Sequence, residues 1–388
     1  MKTYERTHPW LKFEADMRNA GHFLWMTLGE AISKCEHIAG VPLQPETAKK
    51  LHLLYLAKGI RATTAIEGNT LTEEEVLERL EGKLALPPSR EYLGQEVDNI
   101  QKGCNKIFAS LMSGESGDLA IEEIKSFNRI VLDGLSPGED IVPGEIRNIS
   151  VGVAGYRGAP AEDCEYLLHR MCEWLNGLDQ NLFGEPMALG IVRAILSHLY
   201  IAWIHPFADG NGRTARLVEF KSLLAAGVPT AAAHLLSNHY NLTRSEYYKQ
   251  LDHASKSNGD IVQFVHYALK GFVDGLRGQI QHIQKQQLEI AWRDFVYESF
   301  RDKIGPKYER RRNLALDISK QAAPVPFNKI REVSPRIAAS YASKTSRTIR
   351  RDLLELQKIE LIKHVAEGYV DRSDRMLSFL PQRRQNKN

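Results

Sequence analysis

The stretch from Met187 to Ile204 is apolar almost throughout and stops at His205-Pro206. No other feature constrains the fold as much. A run of that length forms one helix, and a helix apolar on every side has to be wrapped by others. Arg193, Ser197 and His198 interrupt it, which fits the core helix of a globular domain better than a membrane span. Helical spacing recurs around it. Residues 44–67 place Leu51, Leu54, Leu56, Ile60 and Ile66 on helical repeats, and Thr72 with Glu75 forms a capping-box pair for the next helix. Residues 91–112, 120–132, 162–178, 213–226, 244–253 and 260–275 also read as helices. The predicted class is mainly α.

Two segments depart from that pattern. Between Leu135 and Pro160, Pro137, Gly138, Pro143, Gly144, Gly152, Gly155 and Gly158 punctuate short β-prone pieces, the signature of a hairpin inserted among helices. A polar amphipathic helix over 279–303 then ends at Gly305-Pro306, where a domain boundary is predicted. Beyond it, Ser334-Pro335 starts a short helix to Tyr341 and Ser346 caps a second over 347–357. Leu361–Val365, a turn at Glu367-Gly368 and a return from Tyr369 to Met376–Leu380 follow. Helix, turn, helix and hairpin is the order of a winged helix. The predicted organisation is an N-terminal helical region over 1–110, a helical core over 111–275, a linker helix over 276–305 and a winged-helix domain over 306–388.

Charge separates the last part from the rest. The chain has 51 Lys+Arg against 48 Asp+Glu, a net of +3. Residues 301–388 alone hold 21 basic and 10 acidic residues, a net of +11, which leaves −8 for residues 1–300. The whole is neither histone-like nor strongly acidic, yet its tail has the balance a phosphate backbone attracts. Cys35, Cys104, Cys164 and Cys172 are irregularly spaced, so neither a disulfide framework nor a cysteine zinc site is expected. The opening MKTYERTHPW lacks an apolar secretion core. A cytoplasmic location without membrane attachment is expected.

The chemistry concentrates in His205-Pro206-Phe207-Ala208-Asp209-Gly210-Asn211-Gly212-Arg213-Thr214-Ala215-Arg216. Pro206 disfavours helical geometry at His205, so the apolar helix ends with an imidazole at its tip. Gly210 and Gly212 permit positive φ and close backbone approach, and a helix opening behind them offers free N–H groups to a phosphate. Arg213 and Arg216, three apart, share a helix face and can grip a polyphosphate. Asp209 is a hard oxygen suited to Mg²⁺ held by phosphates. Asn211 can bond a phosphate or the loop backbone. His205 can accept a proton near neutral pH. The implied reaction is attack of a hydroxyl on a phosphate. The loop is not a Walker A motif, because the G-K-[ST] ending is absent.

HPFADGNGRTAR resembles the signature of Fic-domain proteins (filamentation induced by cAMP), H-P-F-x-[D/E]-G-N-G-R-x-x-R, at every fixed position. The resemblance extends over roughly residues 40–275. It implies a Fic helical core and transfer of AMP from ATP to a Ser, Thr or Tyr hydroxyl of a target protein or of the chain itself. By position, His205 would be the general base and Asp209 the Mg²⁺ ligand. Gly210, Asn211, Gly212 and Arg213, with Thr214 and Ala215 behind them, would make the nucleotide-binding segment, and Arg216 would meet the γ-phosphate. The hairpin with Gly144, Arg147, Ile149 and Val151 resembles the family's flap, which docks the target by strand addition. Tyr248, in Arg244-Ser245-Glu246-Tyr247-Tyr248, is a candidate adenine-side contact.

Thr63-Thr64-Ala65-Ile66-Glu67-Gly68 resembles the family's inhibitory motif, [S/T]-x-x-x-E-[G/N]. Glu67 is predicted at a helix C-terminus, where the macrodipole disfavours an anion, so a strong cationic partner is expected and Arg216 is the candidate. Such a pair would fill the γ-phosphate seat. The same glutamate in related proteins can help remove AMP. The competing reading is a DNA-binding winged-helix regulator whose Fic core senses nucleotide or removes AMP. DNA is a candidate partner of residues 306–388, and a homodimer is left open.

Overall fold

A computed structural model describes residues 2–17, 20–136, 138, 141–153, 156–178 and 184–377. Pro137, Gly155 and the end of the predicted Met376–Leu380 return lie outside the described residues. The chain divides into two compact units, residues 1–280 and 281–388.

The first unit is helical. It contains α1 (Thr3–Thr7), α2 (His22–Gly40), α3 (Pro45–Ala65), α4 (Glu73–Leu80), α5 (Glu91–Met112) and α6 (Ile121–Val131). A two-stranded antiparallel hairpin follows, β1 (Gly152–Val153) with β2 (Tyr156–Arg157), in the register Gly152↔Arg157 and Val153↔Tyr156. Then come α7 (Cys164–Asn176), α8 (Pro186–Ile204), α9 (Asn211–Ala225), α10 (Leu235–Leu242), α11 (Arg244–Lys256) and the start of α12 (Val262–Glu298), of which residues up to 280 belong to this unit.

Local chemistry explains the boundaries. Pro186 occupies the first turn of α8, where its missing N–H costs nothing. Thr72 and Glu75 make the reciprocal capping box of α4. The apolar α8 is long enough to cross a membrane, but it lies in the middle of the core, with Ile191, Ile195, Leu199 and Trp203 buried. At roughly 25 cal/mol per Å² of apolar surface removed from water, burying it is among the largest favourable terms in this unit. Helix α9 packs beside it, so the loop joining the two is held at both ends by the best-buried elements of the fold.

Some expectations are corrected. The spacing separated a helix over 260–275 from one over 279–303, whereas α12 runs unbroken through Gly275 and Gly278. Both glycines are tolerated because the hydrogen-bond ladder is continuous there. The division between units falls inside α12, upstream of the expected boundary at Gly305-Pro306: Trp292, Val296 and Phe300 belong to the second core. Helices α2 and α10 were not anticipated.

The second unit adds α13 (Pro306–Ile318), α14 (Pro335–Tyr341), α15 (Ser346–Lys358), β3 (Ile362–Val365) and β4 (Gly368–Asp371). Pro306 opens the unanticipated α13. The hairpin pairs Ile362↔Asp371 and Val365↔Gly368, with Val325 bridging to Tyr369 on the far side of β4. Ser334 caps α14 through its side chain, as expected. Thr345, and not Ser346, is the N-cap of α15, and its side chain makes no cap bond. A core of Leu314, Tyr341, Leu353 and Leu356 is locked by Asp352, fully buried between Arg310, Arg311 and the Tyr341 hydroxyl. Arg347, Arg350 and Arg351 on α15 are exposed.

Candidate active site

Helix α8 ends at His205, which takes the left-handed conformation, φ 52 and ψ 58. A non-glycine residue there is strained. Pro206 explains part of it by disfavouring continued helix. The surrounding backbone does the rest: Arg147 N–H donates to Pro206 O at 3.0 Å, and Ile146 bridges to Phe207.

The loop is stapled from inside. Asn211 Nδ2 donates to Phe207 O at 2.7 Å while its Oδ1 accepts from Phe207 N–H at 2.9 Å. Of the two roles read for Asn211, the structure uses the backbone one. Asn128 on α6 donates from Nδ2 to Asp209 O and accepts from Gly144 N–H. Gly210, at φ 76, is the N-cap of α9, and no side chain caps that helix. The N–H groups of its first turn are thus left for an anion.

Both loop arginines are held by carboxylates. Arg216 Nη2 lies 2.5 Å from Glu67 Oε1 and donates to Thr63 O at 2.9 Å. Glu67 stands just past α3, so the cation meets both an anion and the free carbonyl end of a helix. Burial pushes the Glu67 carboxyl up, but Arg216, through charge and hydrogen bond, more than offsets this and holds it below the usual range. Gly212 makes the contact sterically possible, since a Cβ there would overlap Glu67 Oε1. Arg213 Nη1 donates to Glu96 Oε1 at 2.9 Å, and its Nη2 is 3.6 Å from Asp209 Oδ1. Glu96 in turn accepts from Asn69 Nδ2 at 2.8 Å.

Glu67, Gly212 and Arg216 border a cavity of about 710 Å³, whereas Arg213, turned to Glu96, is not part of its lining. Its lining includes His205, Asp209, Gly210, Asn211, Gly212, Arg216, Glu67, Val151 and Tyr248, so residues far apart in sequence converge as expected. Burial holds the His205 imidazole below the ordinary histidine range. The Ala202 carbonyl, 3.4 Å from Nδ1, works against that, and the Arg147 cation adds to the lowering. A carbonyl only accepts, so Nδ1 carries the proton and Nε2 is the free basic atom.

Other expectations are revised. Ala215 lies in the hydrophobic core and Thr214 is fully buried, its hydroxyl accepting from Asn128. At about 100° per residue Thr214 points away from Gly212 and Arg216 and Ala215 to the side, and neither lines the cavity. Thr63 contributes its carbonyl and not its hydroxyl. Arg147 does not face a docking target: it is 5% exposed and its guanidinium turns inward. Gly144 sits at the base of the hairpin with φ 81, and Ile149 is exposed.

Several residues escaped the sequence reading. Glu96, Asn69 and Asn128 secure the loop from other helices, and no spacing signal links them to it. Tyr247 lines the cavity beside Tyr248, and its hydroxyl is 2.9 Å from His198 Nε2. His198 Nδ1 is 3.1 Å from the buried Glu219. The polar His198 inside an apolar helix was the one visible hint of that chain.

Residues 118–223 match the Fic/DOC family. They run from just before α6 almost to the end of α9, and so include the hairpin and the whole phosphate loop. The chain carries a Fic domain. Over 208 residues, 54% of this chain, it is 32% identical to protein adenylyltransferase fic-1 of Caenorhabditis elegans. It is 30% identical over 208 residues to protein adenylyltransferase Fic of Nematostella vectensis. Those matches span 38% and 45% of the relatives' own lengths. A solved structure of Fic-1 from C. elegans superposes with TM-score 0.55 at 26% identity, covering 68% of this chain and 74% of that one. A Fic family protein from Desulfovibrio desulfuricans shares the fold, with TM-score 0.52 at 20% identity over 87% of this chain and 91% of that one.

Proposed function

We propose that the protein is an adenylyltransferase that moves AMP from ATP to a Ser, Thr or Tyr hydroxyl of a protein, itself included, and that Glu67 restrains it. The observation that carries this reading is the convergence of a free imidazole nitrogen, an uncapped helix N-terminus and the Arg216 guanidinium on one cavity. The hydroxyl oxygen attacks the α-phosphorus, a P–O bond forms, and the bond to the β-phosphate oxygen breaks to release pyrophosphate. His205 Nε2 takes the hydroxyl proton, while its Nδ1–H stays on the Ala202 carbonyl. The open first turn of α9 and Arg213 receive phosphate oxygens.

Asp209 suits a Mg²⁺ ion. Its side chain is 43% exposed at the cavity, and no group of three or more His, Cys, Asp or Glu residues lies close enough for an all-protein cage among the described residues. One carboxylate plus phosphates is the ordinary Mg²⁺ arrangement, and the ion would neutralise phosphate charge there. Glu67 would occupy the γ-phosphate seat on Arg216 and misalign a bound triphosphate.

Intact-mass spectrometry of Glu67→Gly after incubation with ATP and Mg²⁺ tests the assignment. A gain of one AMP unit supports it, and an unchanged mass together with unchanged mass of an added protein acceptor refutes it. A second reading concerns the tail. The exposed Arg347, Arg350 and Arg351 on α15, in a segment of net charge +11, favour a winged helix that contacts a DNA backbone.

A further inference from the structure

The last carbonyls of α8 have no partners within that helix, as at any helix C-terminus. Here the flap supplies them. Tyr156 Oη donates to Trp203 O at 2.9 Å and Ala159 N–H to Ile204 O at 3.2 Å. Arg147 supplies the rest. Its Nε donates to His205 O at 2.7 Å, its Nη1 to Ile149 O at 2.5 Å, and its Nη2 to Ala159 O and to Ile204 O. Ile149 precedes β1 and Ala159 follows β2, so one guanidinium reaches both legs of the hairpin as well as the backbone of His205. No carboxylate among the described residues pairs with this buried cation; the negative end of the α8 dipole compensates it. Gly158 shows how closely the parts fit: a Cβ there would sit 2.8 Å from His205 Cβ and 3.0 Å from Arg147 Nη2.

We propose that Arg147 is the positioning residue of this site: by binding the carbonyl of His205 and both legs of the flap, it holds the base and the flap in one frame. The role assigned to His205 rests on the adenylyl-transfer reading above. A merely structural arginine would change stability and leave the base alone. A positioning arginine also changes the turnover and the proton affinity of His205, because its charge faces the imidazole together with Glu67 and Asp209. In a Glu67→Gly background the first of those carboxylates is gone from every variant, and the comparison isolates Arg147.

The experiment measures self-modification with α-labelled ATP, as a function of pH and of ATP concentration, for Arg147→Met and Arg147→Lys in that background. For Arg147→Met, kcat is expected to fall about 100-fold, the effect of roughly 1 Å of misplacement, with the KM for ATP within about threefold. The acid limb of its pH profile should move up by about one pH unit, since the cation that opposed protonation is lost. Arg147→Lys should keep the limb in place and recover part of kcat. Unchanged kcat and an unmoved limb in Arg147→Met, or a Lys variant no better than Met, overturns the proposal. If Arg147→Met does not fold, Gly158→Ala retains the arginine and displaces the flap leg; undiminished kcat there is equally fatal. Titration of ¹³C-labelled histidine by NMR, with the His205 signal assigned by its loss in His205→Asn, needs no turnover. Should the parent incorporate no AMP, the transfer reading fails, and an upward shift of the His205 titration in Arg147→Met, or its absence, still decides the role of Arg147.

Discussion

Replacing Glu67 by glycine removes the anion from a cation that has almost no access to water. The Arg216 side chain is 1% exposed and that of Glu67 33%. Leaving a fully buried charge unpaired costs about 3–5 kcal/mol. The partial exposure of Glu67 and the remaining bond from Arg216 to Thr63 O reduce this, so ~2 kcal/mol is a fair figure for this pair. Without nucleotide, Glu67→Gly should therefore melt lower by about 4 °C. With ATP the sign should reverse: the γ-phosphate would take the vacated partner, and the same ~2 kcal/mol would become about 30-fold tighter or better-aligned nucleotide. Two assays read the two halves, thermal melting with and without ATP, and incorporation of α-label. The expected result is a lower melting point that ATP restores, and label incorporation raised at least 30-fold over the parent. A melting point insensitive to ATP, or equal label in the parent, Glu67→Gly and His205→Ala, refutes the placing of Glu67 in the phosphate seat. The pH sign follows from the depressed Glu67 carboxyl. Its stabilising contribution is present above the ordinary glutamate range and is lost as pH falls through the lower folded value, so the restraint weakens only in acid.

Four further outcomes are expected. His205→Ala in the Glu67→Gly background should abolish label incorporation while ATP still raises the melting point; because burial keeps the parent imidazole neutral below the ordinary histidine range, the parent's activity should persist below pH 6.5, and an acid limb at or above that value contradicts the assignment. Glu96→Gln should loosen Arg213 and raise the KM for ATP several-fold with less effect on kcat, which steady-state kinetics would show; equal losses in both would mean that Glu96 acts elsewhere. Asp352→Ala, which strands Arg310 and Arg311 in the second core, should destabilise that unit by about 3–5 kcal/mol in urea titration, and Arg347→Glu with Arg351→Glu should lower the salt-dependent retardation of duplex DNA by the full chain; no retardation at low salt by the parent argues against a DNA partner.

The capping box at Thr72 and Glu75 and the proline starts of α8 and α14 were readable because each depends on neighbours within a turn. Helix α10 was hidden for the opposite reason. His239 and Tyr240 sit among short polar residues, and Tyr240 is helical because it packs against Tyr247 and Phe264 from other elements. The separation of a helix over 260–275 from one over 279–303 did not hold, because intrinsic propensity is a weak prior that packing overrides.

What the sequence determined alone is the local course of the loop. The His205–Arg216 order carries its own stop, turn and helix start, and these are local events set by Pro206, Gly210 and the first turn of α9. The Glu67–Arg216 pair was legible only through the helix-end argument and the motif, since nothing in spacing brings residues so far apart together. Tertiary structure alone decided which way the side chains point. It sent Thr214 and Ala215 into the core, gave Glu96 to Arg213, and turned Arg147 from an outward docking residue into the inward clamp on His205. The physical reason is that buried polar groups must find partners, and the last carbonyls of α8 meet theirs only when the flap folds against them.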